Sequence, residues 1–198
     1  MPAEQSSDIL ESLKKVAAAL RDADIPFCVG GGLAAWARGG PATEHDVDLL
    51  IREEDADRAL TIMDDLGLRT ERPPEGWLVK GWDGDVLVDL IYGPTGLTAD
   101  DAYFAGCETL NVHAMPMPVM SATDILLTKL SALNEHHLDY GPVLEYARSL
   151  REQLEWDELE ALTAWSPFAH GFFAIVRGLG LAPEAAGRAE SRDAVVSG

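Results

Sequence analysis

Apolar residues return at helical intervals at the start of the chain. Ile9, Leu13, Val16 and Leu20 share one face, and Asp8 precedes Glu11 by three as in a capping box. This spacing predicts a helix over 8–22, broken by Asp24 and Pro26. Phe27–Gly30 is a short apolar run of buried-strand type, and 31–38 opens a helix directly behind it, ended by Gly39-Gly40-Pro41. Asp46–Ile51 is the next strand. Over 53–66, Ala56, Leu60, Met63 and Leu66 form one helical face with Gly67 as the stop. Residues 69–76, with Pro73-Pro74, lack a pattern and suggest a loop on an edge strand. Leu78–Trp82 and Asp85–Tyr92 flank Asp83-Gly84, a strong hairpin signal.

The stretch 99–118 is less regular, with short strands expected at Thr109–Val112 and Pro116–Met120. Ser121-Ala-Thr-Asp124 offers a second capping box for a helix through about Leu133. Everything beyond Asp139 reads as helix, over 140–152, 156–165 and 167–179. The aromatic group Trp156, Trp165, Phe168, Phe172 and Phe173 is expected in that helical core. The fold class is therefore α/β (α+β): a mixed β-sheet flanked by helices, with a C-terminal helical segment. We divide the chain into an α/β core at 1–120, a helical part at 121–182 and a loosely ordered tail at 183–198.

Composition narrows the classes of partner. The 198 residues are 47% hydrophobic, enough for a sizeable core. Against 15 Lys+Arg stand 34 Asp+Glu, a formal net charge of −19. Such a surface repels phosphate backbones and anionic membranes, and no basic run offsets it. Cys28 and Cys107 have no CxxC spacing, so neither a disulfide framework nor a zinc site is expected, and both read as buried inert thiols. With no secretory signal at the start and no apolar run near the length of a membrane span, a cytoplasmic protein is the expectation.

Three acids stand out because of where they fall. Side chains alternate along a strand, so Asp46 and Asp48 project to one side. Asp89 lies within Val86–Ile91, a run apolar enough to be buried on both faces. Carboxylates so placed cost several kcal/mol each unless paired or metal-bound. For any one of them a strand-end cap at Asp46, or a Lys or Arg partner for Asp48 or Asp89, answers that cost as well as a metal does. For all three together a shared divalent metal is the more economical answer. Magnesium, or manganese, prefers oxygen ligands and completes its shell with phosphates.

Gly30-Gly31-Gly32 between strand and helix lets a phosphate approach backbone N–H groups, or simply makes a tight turn. It is neither a Walker A loop nor a Gly-x-Gly-x-x-Gly fingerprint. Lys129 shares an apolar stripe with Ile125 and Leu133, so its ammonium either meets an anion or snorkels to solvent. His45 and the pair His136-His137 are hydrogen-bond partners or metal ligands. Arg38 reaches a phosphate or caps its helix.

A Gly-Gly at the end of a strand, followed by Asp-x-Asp on the next and a third acid in Val88-Asp89-Leu90, resembles the nucleotidyltransferase superfamily, whose fold is that of DNA polymerase beta. Lys129-Leu-Ser-Ala132 followed by Asp139 is similar to the small bacterial nucleotidyltransferases related to abortive-infection toxins. The match spans roughly 25–150. The chain departs from relatives at Pro41-Ala42 and His136-His137, where they often carry arginine.

The resemblance implies magnesium-dependent transfer of a nucleoside monophosphate from an NTP such as ATP to an acceptor hydroxyl. Asp46, Asp48 and Asp89 would bind metal, with Asp89 also a candidate general base. Gly30, Gly31, Gly32, Lys129 and Asp139 would bind the nucleotide, with Asp139 orienting Lys129 or the nucleotide itself. The expected acceptor is a tRNA 3′ end, as in the toxin-like relatives, with an antitoxin partner. The alternatives are a small hydroxylated antibiotic, or a non-catalytic nucleotide- and metal-binding module of the same fold.

Overall fold

The computed structural model describes residues 3–41 and 46–184. In chain order its elements are α1 (Ala3–Asp22), β1 (Phe27–Val29), α2 (Gly31–Ala37), β2 (Asp46–Ile51), α3 (Ala56–Asp65), β3 (Arg69–Glu71), β4 (Leu78–Asp83) and β5 (Val86–Ile91). Then come α4 (Asp101–Gly106), β6 (Glu108–Val112), β7 (Met115–Val119), α5 (Ala122–Ala132), α6 (Tyr140–Ser149), α7 (Trp156–Leu162) and α8 (Pro167–Gly178). The seven strands form one mixed sheet in the order β3-β4-β5-β2-β1-β7-β6. β2 is central: it runs antiparallel to β1 and parallel to β5.

The two faces of β2 have different fates. Val47, Leu49 and Ile51 are fully buried on the side covered by α1 and α3. There Gly81 of β4 lies so near Met63 of α3 that an added Cβ would come within 2.9 Å of its sulfur. Leu13, Val16 and Leu20 supply the face of α1, each worth about 1.5–3 kcal/mol of burial. Asp83 ties this helix to the hairpin, accepting from Ser12 Oγ at 3.0 Å and from Lys15 Nζ at 2.8 Å. The opposite face of β2 carries Asp46, Asp48 and Leu50 and is overlain by α2 and the helices from α5 onward, which pack on one another. No described helix is long and apolar enough to cross a membrane.

Local departures from the sequence expectation have local causes. α1 begins at Ala3, which puts Asp8 inside the helix rather than at its cap. Once the apolar face is docked, adding polar turns at the N-terminal end costs little. A 3-10 turn, Glu53–Asp55, precedes α3. The hairpin pairs Asp83 with Val86, so its two-residue loop is Gly84-Asp85 and Asp83 ends the strand. Gly84 takes φ 62, which a first loop position of that kind requires. α4 has no apolar periodicity and buries none of its residues; it is started by Asp100 accepting from Tyr103 N at 2.9 Å. Phe172 and Phe173 are core, but Trp165 is 62% exposed because it falls in the turn between α7 and α8. Of the tail, residues 185–198 lie outside the described residues, as do Ala42 and His45.

Candidate metal and nucleotide site

Register brings the three acids together. In the parallel β2–β5 pair Asp48 is the direct partner of Asp89, and Asp46 stands two residues before it on the same face. One carboxylate oxygen from each of Asp46, Asp48 and Asp89 lies within 4.8 Å of the other two. The apolar residues that follow Asp48 fix β2 in the core and leave its first half to carry charge.

The cluster is electrostatically uncomfortable. Burial, then the neighbouring Asp46 carboxylate, push Asp48 up from 3.8 to about 7; Lys129 and Lys80 pull against this and Asp89 adds to it. Burial also raises Asp89, with Lys80 opposing. Lys80 is the register partner of Asp89 in the hairpin. Its Nζ stands 3.4 Å from Oδ1 and 3.5 Å from Oδ2, yet Oδ1 is buried and accepts no hydrogen bond. A buried carboxylate oxygen without a hydrogen bond, in a cluster of three carboxylates within reach of one another, is a donor set that fits a hard divalent cation.

The glycine turn is moulded around Asp48. Gly31 has φ +52, and a Cβ there would fall 1.8 Å from Asp48 Oδ2. Gly30 is committed to the sheet: its N–H donates to Asp48 O at 2.8 Å, and a Cβ would meet Leu50 at 2.8 Å. Its N–H is thereby occupied, whereas Gly31 and Gly32 form the first turn of α2.

Lys129, on α5, shares a cavity of about 230 Å³ with Gly31 and Asp48, walled by Leu50, Trp77 and Met120. Its Nζ also stands 5.6 Å from the ring centroid of Tyr146. Burial raises the Tyr146 hydroxyl, and Glu145, Asp48 and Asp46 add to it. Lys80 and Tyr146 are thus neighbours of the acids that the sequence reading passed over. Counting from a turn at Asp83-Gly84 would set Leu78 opposite Asp89; only the observed Gly84-Asp85 loop brings Lys80 there, and no motif marked Tyr146.

Other candidates are placed elsewhere or do other work. Asp139 is exposed and caps α6, accepting from Gly141 N at 2.9 Å; no ion pair joins it to Lys129. His136 and His137 are exposed, their backbone N–H groups donating to Asn134 Oδ1 at 3.0 and 3.2 Å. Arg38, its side chain 8% exposed, donates to the Met120 and Val119 carbonyls and to Glu108, so it joins α2 to β7 and β6.

Comparison with known proteins bears on this geometry. The family model described as aminoglycoside-2''-adenylyltransferase matches residues 12–80, which include the glycine turn, Asp46 and Asp48. The solution structure of the antibiotic-resistance factor ANT(2'')-Ia is similar at 19% identity and TM-score 0.62, covering 89% of this chain and 98% of that one. The crystal structure of ANT(2'')-Ia in complex with adenylyl-2''-tobramycin is similar at 22% identity and TM-score 0.60, covering 82% and 97%. No curated protein sequence matches. The seven-stranded mixed sheet with its flanking helices is the nucleotidyltransferase fold.

Proposed function

We propose that the chain is a metal-dependent nucleotidyltransferase that transfers a nucleoside monophosphate from an NTP to a hydroxyl of a small polycationic molecule of the aminoglycoside type. The observation that carries this reading is the convergence of Asp46, Asp48 and Asp89 within 4.8 Å, with Asp89 Oδ1 buried and unbonded. Those three hold magnesium or manganese, which when bound polarises the α-phosphate and offsets the charge of the leaving pyrophosphate. Gly31 and Gly32, lacking side chains, admit the triphosphate beside Asp48. Lys129 supplies positive charge to it across the shared cavity. The acceptor oxygen bonds to the α-phosphorus as the bond to pyrophosphate breaks, and the hydroxyl proton passes to the Asp89 carboxylate. The division into a core at 1–120 and a helical part at 121–182 belongs to this reading, with Lys129 contributed by the second part.

The acceptor class departs from the tRNA 3′ end that the toxin-like motif suggests. The family match names an aminoglycoside adenylyltransferase. A net charge of −19 draws polycations toward the surface and repels RNA. The test is to incubate the full chain with magnesium and each labelled NTP, adding tobramycin and other aminoglycosides or total tRNA. Label on the aminoglycoside, lost in an Asp46→Ala/Asp48→Ala double variant, supports the reading. Label on tRNA alone overturns the acceptor, and absence of transfer to either overturns the enzyme.

A further inference from the structure

Cys28 and Cys107 are distant in sequence and adjacent in space. Their sulfur atoms are 3.1 Å apart, although 79 residues separate them. Cys28 is fully buried in β1, paired in register with Leu50 of the central strand β2, and cannot move without the sheet. Cys107 is different. It is the C-cap of α4, a helix that buries none of its residues, and it is partly exposed along a cavity of about 330 Å³ shared with Arg38, Tyr103 and Asp124.

One thiol is therefore fixed and enclosed, while the other sits at a solvent-reachable opening on a lightly docked element. That is the arrangement of an attacked sulfur and a resolving one, rather than of two inert core residues. The reactivity of the two sulfurs is divided accordingly. Hydrogen bonding with Cys107, then burial, push the Cys28 thiol up. Contact with Cys28 holds Cys107 below its ordinary range, with the Arg38 guanidinium assisting and burial opposing.

We propose that Cys28 and Cys107 form a reversible oxidation site, closing to an intramolecular disulfide when a peroxide reaches Cys107. The Cys107 thiolate attacks a peroxide oxygen, the O–O bond breaks, and Cys107 becomes a sulfenic acid as the peroxide is reduced to water. The Cys28 sulfur then attacks the Cys107 sulfur; the S–S bond forms, the S–O bond breaks, and the hydroxide leaves with the Cys28 proton as a second water. Two thiols and one peroxide yield one disulfide and two waters. The bond joins the start of β6 to β1, the strand that runs into the glycine turn. It does not depend on the function proposed above.

The test treats the full chain with hydrogen peroxide, alkylates under denaturing conditions, and reads intact mass. The expected result is a monomer lighter by two hydrogens that takes up no alkylating agent, restored to two labelled thiols by dithiothreitol. Cys28→Ala should instead accumulate a Cys107 sulfenic acid trapped by dimedone, and Cys107→Ala should keep an alkylatable Cys28 thiol. Retention of two alkylatable thiols in the treated wild type overturns the proposal. So does a disulfide found only between chains, or a Cys107 sulfinic acid formed without any disulfide.

Discussion

Lys80 and Asp89 face each other as register partners of the β4–β5 hairpin, with the ammonium 3.4 Å from a carboxylate oxygen that accepts no hydrogen bond. Burial raises Asp89, and the lysine opposes that rise while leaving its Oδ1 unsatisfied. Lys80→Met should therefore raise Asp89 further above the ordinary carboxylate range, because it removes the influence opposing burial. The acid limb of the kcat/KM profile should move to higher pH, with kcat on the plateau changed less than about tenfold. An unmoved acid limb would show that Lys80 does not act through Asp89.

Asp48 gives a stability prediction whose sign follows from its raised value. Held at about 7 against an ordinary 3.8, it binds its proton more tightly in the folded protein than in the unfolded chain. Its cost to stability is absent below about pH 4 and grows as pH rises through 4 to 7. Asp48→Asn should raise stability at pH 8 by about 1–3 kcal/mol and leave it nearly unchanged at pH 4, read from denaturant midpoints.

Divalent cations should reverse that cost. Adding magnesium or manganese to the wild type at pH 8 should raise Tm in a concentration-dependent way. The Asp46→Ala/Asp48→Ala variant should show no such rise. An equal rise in both would place the cation elsewhere on this acidic surface.

Gly31→Ala places a methyl group where Asp48 Oδ2 now lies, at a backbone angle that favours glycine. The variant should lose about 2–3 kcal/mol of stability and the metal-dependent rise in Tm together. Gly39→Ala has open space around its Cβ and also a positive φ, +89, and is the control for backbone strain without a clash.

Arg38→Ala separates scaffold from chemistry. The guanidinium is spent on two carbonyls and Glu108, so its loss should cost about 2 kcal/mol of stability. The KM for NTP should change less than about threefold. Lys129→Met should do the opposite: near-normal Tm, and kcat/KM lower by about 100-fold.

The sequence by itself determined the strands that carry the acids and the spacing of the glycine turn. Asp46–Ile51 is observed with its expected limits, because two acids followed by three apolar residues admit one register of exposed and buried faces. Ser121 capping α5 was likewise legible, since an N-cap satisfies its donors within three residues. What only the tertiary structure decided depends on non-local pairing. The pairing of Asp48 with Asp89 comes from a parallel crossover, which no turn fixes. Arg38 spent on carbonyls of β7, Asp139 spent on its own helix cap, and Cys28 meeting Cys107 depend on how distant elements pack. Local pattern sets which face a residue takes, and packing sets what it meets there.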